Sequence, residues 1–254
     1  MSGRLDGRVA AISGSSRGIG LAVARAFLTE GAKVAINSRD PAVADRVAEE
    51  LGAGAVGIGA DVSTEAGAKA LVGGTIEAFG TIDILINNAG MSAALPTLEL
   101  GLDRWQKVVD LNMTSVFLCS REAARHMLES GGGSIINTAS IMSFSSFPRR
   151  LAYGATKAAV VMMTRMLAAE WAPTIRVNAV APGYTRTEMV EKLQAEGRID
   201  LDAIEHRTPL RRIARPDEMA GAYTFLASDE ASYVTGETIA VDGGWLAYGA
   251  FEGA

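Results

Sequence analysis

Tyr153 and Lys157 bracket the run Tyr-Gly-Ala-Thr-Lys, and Ser140 stands thirteen positions before the tyrosine. On a helix, residues four apart project from the same face. A phenol has an unperturbed pKa of about 10, too high to exchange protons readily near neutrality. A nearby ammonium stabilises the phenolate and lowers that value. The pair therefore suits a general acid/base, with Ser140 placed to hold a substrate oxygen beside it. The spacing alone equally suits a tyrosine packed against a lysine stem, so its weight comes from the rest of the chain.

A second group of residues suits an anion. Ser13-Gly-Ser-Ser-Arg-Gly-Ile-Gly20 contains glycines at 14, 18 and 20. Glycines there let the backbone turn tightly and approach a ligand closely. The run precedes an amphipathic stretch, so helix N-terminal amides would face a pyrophosphate. Gly14, Ser16, Arg17, Gly18, Ile19 and Gly20 are the expected contacts. The end of the second strand should meet the adenosine ribose, where an acidic residue would favour a free 2′-hydroxyl. Ser38 falls at that place, with Arg39 next to it and Arg17 in the glycine loop. Two cations and a small hydroxyl suit a 2′-phosphate, so the expectation is NADP(H) over NAD(H). Asp40 is the rival, if the strand runs longer.

These residues need a scaffold, and the apolar pattern supplies one. β-like runs at 9–13, 33–37, 55–60, 82–87, 134–139, 175–180 and 238–241 alternate with helical ones at 18–30, 41–51, 64–79, 151–171 and 216–227. Residues 102–129 carry one long or broken helical pattern. Such alternation predicts an α/β fold: a doubly wound parallel sheet with helices on both faces. No linker or repeat interrupts residues 1–254, so one domain is expected. The stretch 184–215 breaks the rhythm; it is polar, contains Pro209 and several arginines, and is expected to be a lid over the site.

Composition narrows the function classes. The 254 residues carry a formal net charge of −5 and are 48% hydrophobic. No basic tract interleaved with aromatics points to nucleic acid. No apolar run reaches the length of a membrane span. Cys119 has no partner for an internal disulfide, and the polar start at residues 1–8 is not a signal peptide, so a cytoplasmic location is expected. His126 and His206 are too scattered for a metal site, and none is expected.

Taken in order, the motifs resemble the short-chain dehydrogenase/reductase family over residues 5–245. The glycine loop resembles its cofactor loop, with Ser13 where threonine is usual. Asp61-Val62 resembles the pair that reads the adenine. Asn87-Asn88-Ala89-Gly90 resembles the motif that steadies the central sheet beside the cofactor. Asn112, Ser140, Tyr153 and Lys157 match the family's catalytic residues. Pro182-Gly183, Thr185 and Thr187 resemble the loop on the nicotinamide side. The resemblance implies that Tyr153 exchanges the proton, that Lys157 lowers its pKa and holds the nicotinamide ribose, and that Asn112 orders a water leading to Lys157.

The resemblance also implies a small-molecule carbonyl or alcohol substrate and a homotetramer built through the helices at 102–129 and 151–171. Met142, Phe144, Phe147 and Leu151 would wall the pocket, and Arg149 and Arg150 beside it would either bind a carboxylate or phosphate or else face solvent or a neighbouring subunit. Family members acting on acyl-carrier protein resemble one another in basic residues near 128–131 and 168–171, and neither place is basic here. Tyr248 and Phe251 in the tail would dock on a neighbouring subunit. Two other readings remain: an NAD-dependent polyol or sugar-acid dehydrogenase, and a dinucleotide-binding protein without catalysis.

Overall fold

The computed structural model of the chain describes residues 3–249. Its strands are β1 (Val9–Ile12), β2 (Lys33–Ser38), β3 (Ala55–Gly59), β4 (Ile84–Asn87), β5 (Gly133–Thr138), β6 (Ile175–Pro182) and β7 (Thr238–Val241). They form one sheet in the order β3-β2-β1-β4-β5-β6-β7, every neighbouring pair parallel. All four residues of both β1 and β4 are buried. Strands covered on both faces need apolar residues throughout rather than an alternating pattern, which is what Val-Ala-Ala-Ile and Ile-Leu-Ile supply.

The helices are α1 (Gly18–Thr29), α2 (Pro41–Leu51), α3 (Glu65–Phe79), α4 (Leu102–Val109), α5 (Ser115–Ser130), α6 (Leu151–Trp171), α7 (Glu188–Ala195), α8 (Leu201–Arg207) and α9 (Asp217–Ala227). Side chains alternate across each strand, so β1 serves two cores. Ala10 and Ile12 pack with Phe27 of α1, Val47 of α2 and Tyr223 of α9. Ala11 packs with Leu71 of α3 and Leu118 and Met127 of α5. This is the doubly wound α/β architecture. The chain reverses its winding between β1 and β4, and the crevice beyond the strand ends at that point is where such sheets bind ligands.

Several elements depart from the expected bounds. β4 begins at Ile84, and Asp83 just before it accepts the N–H of Val9 on its carboxylate at 2.8 Å. β6 continues through Pro182, pairing as far as Val241. The pattern at 102–129 divides into α4 and α5 around a wide π turn at Asp110–Thr114. The stretch 184–215 contains α7 and α8 over a small apolar cluster of its own, Leu201, Ile204 and Ile213 with Tyr184, Val190, Ile199 and Trp245.

Candidate active site

Tyr153 and Lys157 lie in the first turns of α6, and Ser140 stands two residues past the end of β5. Ser140 also caps the short helical turn Ile141–Ser143, accepting the N–H of Met142 at 3.1 Å. That fixed hydroxyl also acts on the partly buried Tyr153 phenol, favouring its ionised form. Lys157 is 3% exposed, and its Nζ donates to the carbonyl oxygen of Thr138 at 2.5 Å. The ammonium is 5.8 Å from the Tyr153 ring centroid. The three expected side chains therefore share one cleft.

The electrostatics differ from expectation. Burial raises the Tyr153 phenol above its ordinary pKa; Ser140 opposes the rise, Tyr184 adds to it and Arg150 opposes it. Lys157 does not lower the phenol in this state of the protein. Burial instead brings Lys157 itself down to about 8. The physical reason is that the lysine is desolvated and spends a donor on Thr138, away from the ring.

Asn112 is fully buried at the centre of the π turn. Such a turn inserts a residue into the helix and re-aims side chains, and it is common at functional sites. The Oδ1 of Asn112 accepts the N–H of Met91 at 2.8 Å; its Nδ2 donates to the oxygen of Met91 at 2.9 Å and to Thr156 at 3.3 Å. The side chain thus fixes the loop after β4, and both N–H groups of its amide are used in doing so.

The glycine loop is a cradle that larger residues would fill. Gly14 and Gly18 have φ of 62° and 57°. A Cβ on Gly14 would lie 2.9 Å from the Cα of Ala89, and one on Gly20 would lie 2.5 Å from Nδ2 of Asn88. Asn88 donates to the carbonyls of Ser13 and Gly14, both at 3.0 Å. Ser13 accepts the N–H groups of Asn88 and Ala89, so the hydroxyl kept at this position is in use. Ile19 packs against the core and Ser16 is half-buried beside it. Among the described residues no side chain caps α1, whereas Asp40, Thr64, Thr187 and Asp200 cap α2, α3, α7 and α8. Uncapped amides at the one helix start that faces the cradle fit a pyrophosphate, and by that test the residues fit a dinucleotide.

At the ribose end, Ser38 is partly buried at the close of β2 and Arg39 is exposed. Asp40 has its carboxylate committed to the N–H of Ala42 at 3.0 Å. Arg17 forms an ion pair with Glu188 of α7 at 2.8 Å, both side chains well exposed. Asp61 accepts from the N–H and hydroxyl of Ser63. Val62 is 2% exposed and packs in the core, so it can offer a ligand only its backbone. A Cβ on Gly90 would touch Oδ1 of Asn112 at 3.4 Å and Nζ of Lys157 at 3.8 Å.

On the opposite side of the crevice, Pro182 ends β6. A Cβ on Gly183 would come within 2.7 Å of the Cα of Asp242. Thr185 is 3% exposed and turns its hydroxyl onto the carbonyl of Gly183. Thr187 caps α7 and lies against Gly18. Beside this loop is a cavity of about 330 Å³ lined in part by Phe147, Arg150, Tyr184, Ile199 and Trp245. Phe144 and Leu151 do not line it and are about half exposed. The tail does not leave the subunit as far as it is described: Arg207 of α8 donates to the carbonyls of Trp245 and Tyr248. Phe251 lies outside the described residues.

Sequence reasoning missed the residues that tie the site together. Asn37 accepts the N–H of Gly14 at 3.0 Å and donates to the carbonyls of Ile58 and Ala60. Asn137 and Thr164 extend the already expected Asn87 into a buried chain of hydrogen bonds across β4, β5 and α6. The signal for Asn37 and Asn137 was a polar residue near the end of each apolar run. Trp245, which follows the last Asp-Gly-Gly, carried no signal of its place in the cavity.

The comparisons with known proteins agree with this geometry. A family model described as Enoyl-(Acyl carrier protein) reductase matches residues 14–246. A 3alpha-hydroxysteroid dehydrogenase of Mediterraneibacter gnavus is 42% identical over 94% of this chain and 97% of its own length. The chain spans 44% of a longer relative, a short-chain type dehydrogenase/reductase of Sinorhizobium fredii that is 40% identical over 94% of this chain. A gluconate 5-dehydrogenase of Burkholderia cenocepacia, solved with NADP and tartrate, superposes with a TM-score of 0.92 at 38% identity, covering 96% of this chain and 97% of that one. A 3-ketoacyl-(acyl-carrier-protein) reductase of Brucella melitensis, solved with NADH, gives 0.89 at 36% identity, covering 95% and 99%. With a glycine cradle at the winding reversal, a serine beside a tyrosine and a buried lysine one turn on, and with relatives that match nearly end to end, the chain belongs to the short-chain dehydrogenase/reductase family of NAD(P)-dependent oxidoreductases, which act on alcohol and ketone groups.

Proposed function

We propose that the protein interconverts a ketone and a secondary alcohol using NADP(H), with Tyr153 as the general acid/base. The observation that carries this is one cleft in which the Lys157 ammonium stands 5.8 Å from the Tyr153 ring and Ser140 acts on the Tyr153 phenol. The bound dinucleotide supplies or accepts the hydride at its nicotinamide ring. Ser140 and Tyr153 donate to the substrate oxygen, whose growing charge such donors stabilise by about 3 kcal/mol. Tyr153 then gives that oxygen its proton, and in oxidation removes it. Lys157 holds the nicotinamide ribose, and Asn112 positions the loop at Met91 that borders it.

Residues 13–20, Asn88–Gly90 and the loop from Pro182 to Thr187 would hold the dinucleotide, with the uncapped start of α1 on its pyrophosphate. NADP(H) is favoured because Ser38 and Arg39 stand at the ribose end while Asp40 is engaged in capping α2. Relatives solved with NADP and with NADH bracket the choice. Comparison of kcat/KM for NADPH and NADH over a ketone panel tests both points. A clear preference for NADH rejects the cofactor assignment; no turnover with either cofactor on any ketone or alcohol rejects the activity.

We further infer a single domain in which residues 184–215 act as the lid, and a homotetramer. Leu102, Phe117, Leu128, Leu151, Met162 and Met166 are all at least 46% exposed on α4, α5 and α6. Apolar surface of that extent favours a subunit interface. Light scattering should give four times the 26.5 kDa of one chain, and a species of 26.5 kDa contradicts it. Among the described residues no helix is long and apolar enough to cross a membrane. The single thiol, Cys119, is buried, which suits a cytoplasmic location.

A further inference from the structure

Arg150 is only 7% exposed, yet among the described residues no carboxylate pairs with it. It stands at the N-cap of α6, one turn before Tyr153. Arg149, with φ of 65°, turns the chain there and is held by the N–H of Leu95 on its carbonyl. One guanidinium nitrogen of Arg150 donates to the hydroxyl of Ser92 at 3.5 Å; no other hydrogen bond to the guanidinium occurs among the described residues. The charged or ionisable groups acting on it are Tyr184, Arg149, Arg198 and Tyr153, which include two further cations and no acid.

A buried cation without a counter-charge is unfavourable unless something compensates it. The cavity that Arg150 lines is otherwise built of Phe147, Pro148, Ile199 and Trp245 with Tyr184 at its side. Trp245 stacks on Phe147 at 5.9 Å and tilts against Tyr184 at 5.6 Å. Such apolar walls lower the local dielectric beside the guanidinium and strengthen an ionic contact made there. The other charged wall residues are engaged elsewhere: Arg198 pairs with Glu196 at 3.0 Å, and Asp200 caps α8 on the N–H of Ala203.

From this we infer that Arg150 binds the carboxylate of a hydroxy-acid or oxo-acid substrate whose reacting carbon faces Tyr153. The inference rests on the proposed alcohol/ketone activity and specifies its substrate class. A planar guanidinium with free N–H groups matches a carboxylate in a two-point contact. A phosphate ester carries about twice the charge and would call for a second free cation.

The test uses matched substrates on the full-length protein with either oxidised cofactor: D-gluconate against D-glucitol, 3-hydroxybutyrate against its methyl ester, and cis-4-hydroxycyclohexanecarboxylate against its methyl ester, with D-glucitol 6-phosphate as the phosphate arm. In at least one pair the acid should exceed its neutral partner in kcat/KM by tenfold or more. Arg150→Met should cut that ratio roughly 30- to 100-fold, chiefly through KM, and Arg150→Lys should restore part of it. Arg150 also acts on the Tyr153 phenol, and the ratio within a pair cancels that effect. Calorimetric titration of the same acids into the protein with NADP+ gives a second readout: wild type should bind and R150M should not. An unchanged ratio in R150M, a wild-type preference for the neutral or phosphate members, or no carboxylate binding by calorimetry overturns the assignment. Arg150-dependent binding of an acid without turnover of any pair supports Arg150 as the carboxylate site and counts against the proposed activity instead.

Discussion

Lys157 and Thr138 are joined by a hydrogen bond of 2.5 Å from the ammonium to the last carbonyl of β5. The lysine is thereby anchored to the sheet rather than to the phenol it accompanies. Burial holds it near pKa 8, so its charge is present below that pH and is lost as pH rises through it. If the ammonium holds the cofactor, the KM for the dinucleotide should rise several-fold between pH 7 and 9.5. Lys157→Ala should raise it at pH 7 and abolish the pH dependence. Fluorescence titration of the reduced cofactor across that range checks both.

Tyr153→Phe retains the ring that fills the site and removes the hydroxyl. Turnover should fall by about 10²- to 10⁴-fold, the range of positioned acid–base groups. The dissociation constant of the dinucleotide should stay within a few-fold of wild type. Residual turnover within a few-fold of wild type would remove Tyr153 from its role.

Ser140→Ala removes the hydroxyl that opposes the burial-driven rise of the Tyr153 phenol. The phenol's pKa then climbs further, and less phenolate is present at any pH below it. Alcohol oxidation should therefore slow by about 10- to 100-fold at pH 8, with the ascending alkaline limb of its kcat/KM profile displaced to higher pH. A profile that overlays wild type would contradict this account.

Arg17 and Glu188 form an exposed pair, with side chains 70% and 63% accessible. Such pairs contribute about 0–1 kcal/mol to stability, so Glu188→Gln should leave the melting temperature nearly unchanged. It frees Arg17, however, and should lower the KM for NADPH several-fold more than that for NADH. Arg17→Ala should act in the opposite direction. Equal effects on the two cofactors would separate Arg17 from the 2′-phosphate.

Asn37 is 2% exposed and ties β2 to the glycine loop and to the end of β3. Asn37→Ala leaves the N–H of Gly14 and the carbonyls of Ile58 and Ala60 without that partner, at about 1–3 kcal/mol for each group left unsatisfied. Urea unfolding should show a loss of at least ~3 kcal/mol. A midpoint unchanged from wild type would mean that water or a shifted backbone replaces the amide.

The alternation of apolar runs sufficed for the parallel α/β sheet, because strands buried on both faces and helices buried on one leave different periods in the chain. The ordered glycines, Asn88, Ser140, Tyr153 and Lys157 were likewise legible, since each chemistry restricts the residue types that can perform it. The π turn at Asn112 was not, because a helix and a helix with one inserted residue share nearly the same apolar pattern. Nor was the sign of the Tyr153 shift, which depends on how far burial outweighs neighbouring charge, and that is a property of packing. Arg149 and Arg150 are adjacent and chemically identical; only the folded loop exposes the first and buries the second. Local composition thus determined the architecture and the reactive groups, while desolvation and partner choice, which arise between residues distant along the chain, were decided by the tertiary structure alone.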